Sequence, residues 1–242
     1  MECLERETAF EANKRRFSSG QRAVNSPRIG ITPDIVEGRV TLAVNYVNAV
    51  VQAGGVPLIL PPRPELAPMF VEICDAVILS GGDDVIMEDW GQSTHEAAVP
   101  VDRHRQDFER AMIAALDDVP QLPVLGICLG MQLMGIEQGA SFAQHLPDML
   151  ETAEEHRHDS VHLIEGDALN GKVTSHHHQA LLDAGRLEVI ARAHDGVVEG
   201  ISDPDRHFYL GVQWHPERTE DDVLGPGLFR RLVAACRAHH DA

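Results

Sequence analysis

The 242-residue chain predicts an α/β fold with a mostly parallel central sheet covered by helices on both faces. Three observations carry that prediction. Short apolar runs without period-two alternation, such as AVILS (76–80) and PVLGI (123–127), have the texture of strands buried on both faces. Helical patterns alternate with these strands from residue 28 onward, as βα units do. Beyond about residue 150 the texture shifts to short strands joined by turns, which adds antiparallel strands in the C-terminal half.

RIGIT (28–32) reads as the first strand. VTLAVNYVNAVVQA (40–53) carries apolar residues at helical spacing and stops at Gly54-Gly55, a natural helix end. VPLILP (56–61) is the second strand, broken by Pro61-Pro62, and 65–73 is a short helix. AVILS then runs into Gly81-Gly82. An amphipathic helix over 103–116 precedes PVLGI, and another helix starts at Leu129. SVHLI (160–164), LEVIAR (187–192), GVVEGI (196–201) and FYLGVQW (208–214) are the later strands, and a helix over 222–239 closes the chain. Residues 1–26 lack sustained periodicity and predict a mobile N-terminal extension, partly helical at most; 27–242 predict a single domain without internal repeats.

Composition narrows the function classes. With 20 basic against 38 acidic residues the formal net charge is −18, a surface that repels nucleic acid and anionic membranes. No apolar run approaches the ~18 residues of a membrane helix, and the N-terminus has no secretory h-region. Four cysteines (Cys3, Cys74, Cys128, Cys236) lie far apart with no CxxC pair, which argues against a zinc knuckle or disulfide framework and for a cytoplasmic protein.

One of those cysteines is framed differently from the rest. In LPVLGICLGMQL (122–133), Cys128 stands between Gly126 and Gly130, after a strand and before a helix, the layout of a nucleophile elbow. A helix N-terminus favours the thiolate through its exposed N–H groups and dipole. A packed cysteine in a strand-to-helix turn is an equal reading of those five residues alone. A thiolate nucleophile needs a base, and the base an orienting group. FYLGVQWHPE (208–217) ends a strand in His215-Pro216-Glu217, where the imidazole and carboxylate two residues apart can point the same way. LSGGDDV (79–85) places Gly81-Gly82 at a strand end, where unshielded N–H groups could serve an oxyanion hole together with the N–H of Leu129.

Taken together, these stretches resemble the class I glutamine amidotransferase superfamily, and within it the γ-glutamyl-γ-aminobutyrate hydrolase (peptidase C26) family. NYVNAVVQAGGVPLILP, GGDDVIMEDWG, GICLGMQLM, SHHHQAL and LGVQWHPE carry the resemblance, which runs from about Arg28 to the last helix. It implies a flavodoxin-like three-layer α/β/α sandwich. It also implies Cys128 as nucleophile, His215 as general acid/base and Glu217 as its partner. The N–H groups of Gly82 and Leu129 would form the oxyanion hole; Gln132, His177, His178 and Gln179 would face the glutamyl group. The expected activity is cleavage of γ-glutamyl amide bonds through a thioester, with a small-molecule substrate, no cofactor, and homo-oligomerisation left open. The sequence departs from the family pattern at several points. Leu129 matches the amidotransferase form C-L-G; Asp83 and Met87 replace prolines, Trp90 a tyrosine and Thr174 an asparagine.

Two rival functions stay open. One is a glutaminase that passes ammonia to a separate synthase partner; the other is a catalytically silent ligand-binding protein on the same scaffold. Fourteen histidines invite a metal reading, chiefly His176-His177-His178 with His156, His158 and His162. Three consecutive histidines cannot all point one way on a strand or helix, so HHHQ reads as a substrate loop. The others read as surface residues, and no metal is expected.

Overall fold

The computed structural model of the chain describes residues 26–240. β1 (Arg28–Ile31) opens the main sheet, and β2 (Asp34–Val36) with β3 (Arg39–Thr41) makes a separate hairpin. α1 (Val44–Ala53), β4 (Val56–Ile59), α2 (Ala67–Ile73), β5 (Ala76–Leu79), α3 (Arg103–Asp117), β6 (Val124–Ile127) and α4 (Leu129–Glu137) follow in alternation. The C-terminal half holds β7 (Phe142–Ala143), β8 (Ser160–Glu165), β9 (Gly171–Ser175), β10 (Ala180–Leu181), β11 (Glu188–Ala193), β12 (Val198–Ser202), β13 (Tyr209–Val212) and α5 (Pro226–His240).

Nine strands form the main sheet in the order β4-β1-β5-β6-β13-β12-β11-β8-β9. The first five are mutually parallel and the last four join antiparallel, as the two textures of the sequence predict. Successive side chains of the central strands point to opposite faces, and both faces are covered. Val77, Leu79 and Val124 pack under α2, α3 and α4 with Phe70, Phe108, Met112 and Met131. Ile78, Leu125 and Ile127 pack under α1 and α5 with Val50, Leu228, Phe229 and Leu232. Every position of β5 and β6 is therefore buried, which is why neither strand shows polar alternation. Each large side chain so removed from water contributes ~1.5–3 kcal/mol.

The structure differs from the sequence reading at the ends of elements. The helix predicted from 40 begins at Val44, because Val40 and Thr41 belong to β3. Its hairpin turns at Glu37-Gly38, both at positive φ (51° and 72°), which is the backbone a tight two-residue turn demands. β9 is a strand that apolar pattern alone does not reveal, since only Val173 and Ser175 of its five residues are buried. The final helix starts at Pro226 rather than 222, with the Asp221 carboxylate accepting from Val223 and Leu224 N–H just before it. The extension expected over 1–26 lies outside the described residues except for Ser26. Among the described residues no helix is long and apolar enough to cross a membrane.

Candidate active site

β6 delivers the chain to Cys128 and α4 takes it away, with the cysteine at φ 52°, ψ −107°. That conformation is strained for any residue with a Cβ and costs of order 1–3 kcal/mol. The flanking glycines make it attainable. A Cβ on Gly130 would overlap the Leu79 carbonyl oxygen, and one on Gly126 would overlap the Met134 sulfur. The elbow is held on both sides: Cys128 N–H donates to Val212 O (2.8 Å), and Cys128 O accepts from Gln132 N–H (3.0 Å). Leu129, the first helical residue, has an N–H with no intrahelical acceptor to use.

The end of β13 brings His215 to this thiol. His215 N–H donates to Thr174 O (2.9 Å), its carbonyl accepts from Thr219 Oγ1 (2.9 Å), and its Nδ1 lies 2.8 Å from Glu217 Oε1. The ring also lies beside Cys128, close enough for the charges of the two groups to act on each other. Burial opposes charging this imidazole, but the Cys128 sulfur and the Glu217 carboxylate outweigh it and raise His215 to about 9. Burial also works against the Glu217 charge, and the His215 hydrogen bond and charge overcome it, holding the carboxyl below its ordinary value. Space beside this pair is tight, since a Cβ on Gly81 would lie 2.9 Å from Tyr46 Oη and 3.0 Å from His215 Cε1, and something would have to shift to admit it.

The Gly81-Gly82 turn is fixed from behind by Arg105, a wholly buried residue of α3. Its guanidinium donates to Ser80 O (3.0 Å), Gly81 O (3.2 Å) and Glu109 Oε1 (3.0 Å). In a trans peptide the carbonyl and the next N–H point in opposite directions. With Gly81 O held toward Arg105, the Gly82 N–H is turned away from it. A Cβ on Gly82 would lie 2.9 Å from Leu129 Cδ2, so the two predicted oxyanion residues are neighbours.

A cavity of about 170 Å³ opens over Cys128, and Gly82, Gln132, His177, His178 and Gln179 all contribute to its lining. Their side chains are used unequally. Gln132 Nε2 donates to Gln179 O (3.1 Å) and Gln213 Oε1 (3.2 Å), while Gln213 Nε2 reaches Cys128 Sγ at 3.5 Å. His178 Nε2 pairs with Asp84 Oδ2 at 2.9 Å. The Gln179 amide bridges Val85 N–H and Gln144 O, bonds that fix the loop. The His177 ring reaches the buried Glu199 instead. Asp84 and Arg157 also line the cavity and were not singled out from sequence; Asp83, marked there only as a departure from the family pattern, and His158, read as a surface histidine, line it too. The aspartates could have been suspected from their place directly after the Gly-Gly turn. Arg157 sits in a turn with no local pattern to mark it. His156 and His162, read as surface residues, are buried beside Glu199.

With this geometry in place, comparison with known proteins is specific. The peptidase C26 family model matches residues 29–217. A γ-glutamyl-γ-aminobutyrate hydrolase of Escherichia coli strain K12 is 31% identical over 251 residues, covering 90% of this chain and 97% of the relative. Two further likenesses are to proteins whose names carry the word putative. One is a glutamine amidotransferase of Mycobacterium tuberculosis, 34% identical with 82% of this chain and 68% of the relative covered. The other is the solved structure of a GMP synthase subunit from Thermoplasma acidophilum. It superposes with a TM-score of 0.66 over 90% of this chain and 97% of its own, at 17% identity, a likeness of fold alone.

Proposed function

The chain belongs to the peptidase C26 family of class I glutamine amidotransferase-like hydrolases, and from that membership we propose that it cleaves γ-glutamyl amide bonds with Cys128 as nucleophile. The observation that carries the reading is the place of the His215 ring, beside Cys128 on one side and with Nδ1 2.8 Å from Glu217 Oε1 on the other. The Cys128 thiolate attacks the γ-carbonyl carbon, and the negative charge on its oxygen meets the N–H groups of Gly82 and Leu129. The His215 imidazolium protonates the departing amine, leaving a thioester on Cys128. Neutral His215 then takes a proton from water, which attacks the thioester and releases glutamate. Glu217 holds Nδ1–H throughout, so that the nitrogen facing Cys128 is the one that exchanges protons. No step needs a cofactor.

The cavity suits an α-amino-acid end. It presents one cation, Arg157, and two carboxylates, Asp83 and Asp84, the charges that would meet an α-carboxylate and an α-ammonium. A γ-glutamylated small amine such as γ-glutamyl-γ-aminobutyrate is the substrate class proposed. Glutamate release from that compound and from glutamine, measured side by side with Cys128→Ala as control, tests the reading. Turnover of the first, reduced by several orders of magnitude in the variant, supports it. A second reading, an ammonia-donating glutaminase with a separate synthase partner, draws on Leu129 after the nucleophile and on the named M. tuberculosis relative. Activity confined to glutamine would select it. No turnover of either compound, with an unreactive Cys128, would select the silent scaffold.

A further inference from the structure

Away from the Cys128 thiol, three imidazoles converge on one buried carboxylate. Glu199 of β12 is 0% exposed, and its Oε1 lies 3.1 Å from His162 Nε2, 3.3 Å from His156 Nδ1 and 3.5 Å from His177 Nε2. The opposite nitrogen of each ring faces an acceptor. His156 Nε2 meets Asp195 Oδ2 (2.9 Å), His162 Nδ1 the Glu155 carbonyl (3.2 Å), and His177 Nδ1 the Gln179 carbonyl (3.0 Å). A carbonyl or carboxylate can only accept, so each of these nitrogens carries the ring's proton. In neutral imidazoles the three nitrogens turned toward Glu199 are then lone pairs facing a carboxylate oxygen. Those nitrogens and both Glu199 oxygens lack a hydrogen-bond partner, and all are buried. Orphaned acceptors at this density are costly unless a cation lies among them.

We propose that His156 Nδ1, His162 Nε2 and Glu199 Oε1 bind one divalent zinc ion. These three atoms lie within 4.8 Å of one another. Ligands at ~2.0–2.1 Å from a tetrahedral zinc stand roughly 3.3 Å apart, close to the spacings of both histidines from the carboxylate. The surroundings match as well: His156 donates its far N–H to Asp195, which also accepts from Thr152 Oγ1 (2.7 Å), a carboxylate–histidine–metal arrangement. His177, the third imidazole at this carboxylate, has Nε2 3.5 Å from Glu199 Oε1. It belongs to the segment that lines the Cys128 cavity, and its N–H donates to His156 O (2.7 Å). The ion would tie the 153–156 turn, β8 and β12 to that segment, a structural role independent of which amide the enzyme cleaves.

Untagged full-length protein, grown with added zinc sulfate and desalted, decides this by elemental analysis. One zinc per chain is expected in the wild type, in Cys128→Ala, and in His95→Ala, which breaks the other group of possible ligands, His95, His145 and Asp148. At least a tenfold loss of affinity is expected in Glu199→Gln and His162→Gln. Should those variants fail to fold, cobalt substitution of the wild type and of His95→Ala replaces them, and bands that vanish in His95→Ala overturn the proposal. Visible bands of tetrahedral cobalt without thiolate charge-transfer absorption support the site. Protein that retains no zinc and whose melting temperature is unmoved by zinc chloride or a chelator overturns the proposal, as does zinc that is lost with Cys128. The cluster would then be a network of protonated imidazoles around Glu199.

Discussion

Arg105 holds the Gly81 carbonyl at 3.2 Å from the buried side of the turn, and this bond sets the direction of the Gly82 N–H. The same guanidinium donates to Ser80 O and Ser80 Oγ, so the turn is tied to α3 by three bonds, while Glu109 of α3 holds the guanidinium itself. All of these bonds are made by Nη2; a lysine keeps the charge, but its side chain is one bond shorter, so its ammonium falls short of that point and the Nη1 contact to Asp34 (3.4 Å) is lost. Under the proposed mechanism, Arg105→Lys lowers kcat by about 10–100-fold with little change in KM, since a misdirected oxyanion donor acts on the transition state. Steady-state kinetics check this; a KM effect at unchanged kcat would remove Arg105 from the positioning role.

The described cysteines have different environments although all three are buried. Burial pushes the Cys74 thiol up to about 11 and Cys236 up to about 12, so neither is a thiolate near neutrality. Cys128 lies at a helix N-terminus with the His215 ring beside it. Iodoacetamide at pH 7, followed by peptide mass mapping, is expected to modify Cys128 at least tenfold faster than either. His215→Ala should erase most of that difference.

His215 ties stability to pH. Its folded value of about 9 lies above its ordinary 6.5, so its contribution is full below about pH 6.5 and is lost as pH rises through about 9. Glu217 is lowered from 4.5, so its share is present above about pH 4.5 and lost as pH falls through the depressed value. The melting-temperature advantage of the wild type over His215→Gln is therefore expected to peak at about pH 5–6.5 and to shrink by pH 9. Differential scanning fluorimetry across that range reads it; an advantage that grows toward pH 9 would contradict the assignment.

Backbone strain at Cys128 separates two otherwise similar variants. Alanine keeps a Cβ at φ 52°, ψ −107°, while glycine adopts that region freely. Cys128→Gly should be more stable than Cys128→Ala by about 1 kcal/mol, the relief of strain exceeding glycine's entropy cost in the unfolded chain. Urea denaturation of both proteins measures the difference, and equal stability would mean that the elbow stores no strain.

Much of this protein was determined by its sequence alone. The unbroken apolar runs of β5 and β6 announced a doubly covered parallel sheet, because strands buried on both faces have no polar side to show. Local spacing placed Cys128 between two glycines, and His215 and Glu217 two residues apart, so their neighbourhoods were legible before any fold was known. What the sequence could not show is long-range pairing. Arg105 lies 24 residues from Gly81 along the chain, and only the packing of α3 under the sheet brings its guanidinium to that carbonyl. Glu199 meets His156, His162 and His177 only because β12 and β8 are brought to opposite sides of β11 while the 153–156 turn and the 176–179 segment close over them. A linear pattern encodes which faces are apolar; which buried polar groups share one space is decided by the order of strands in the sheet.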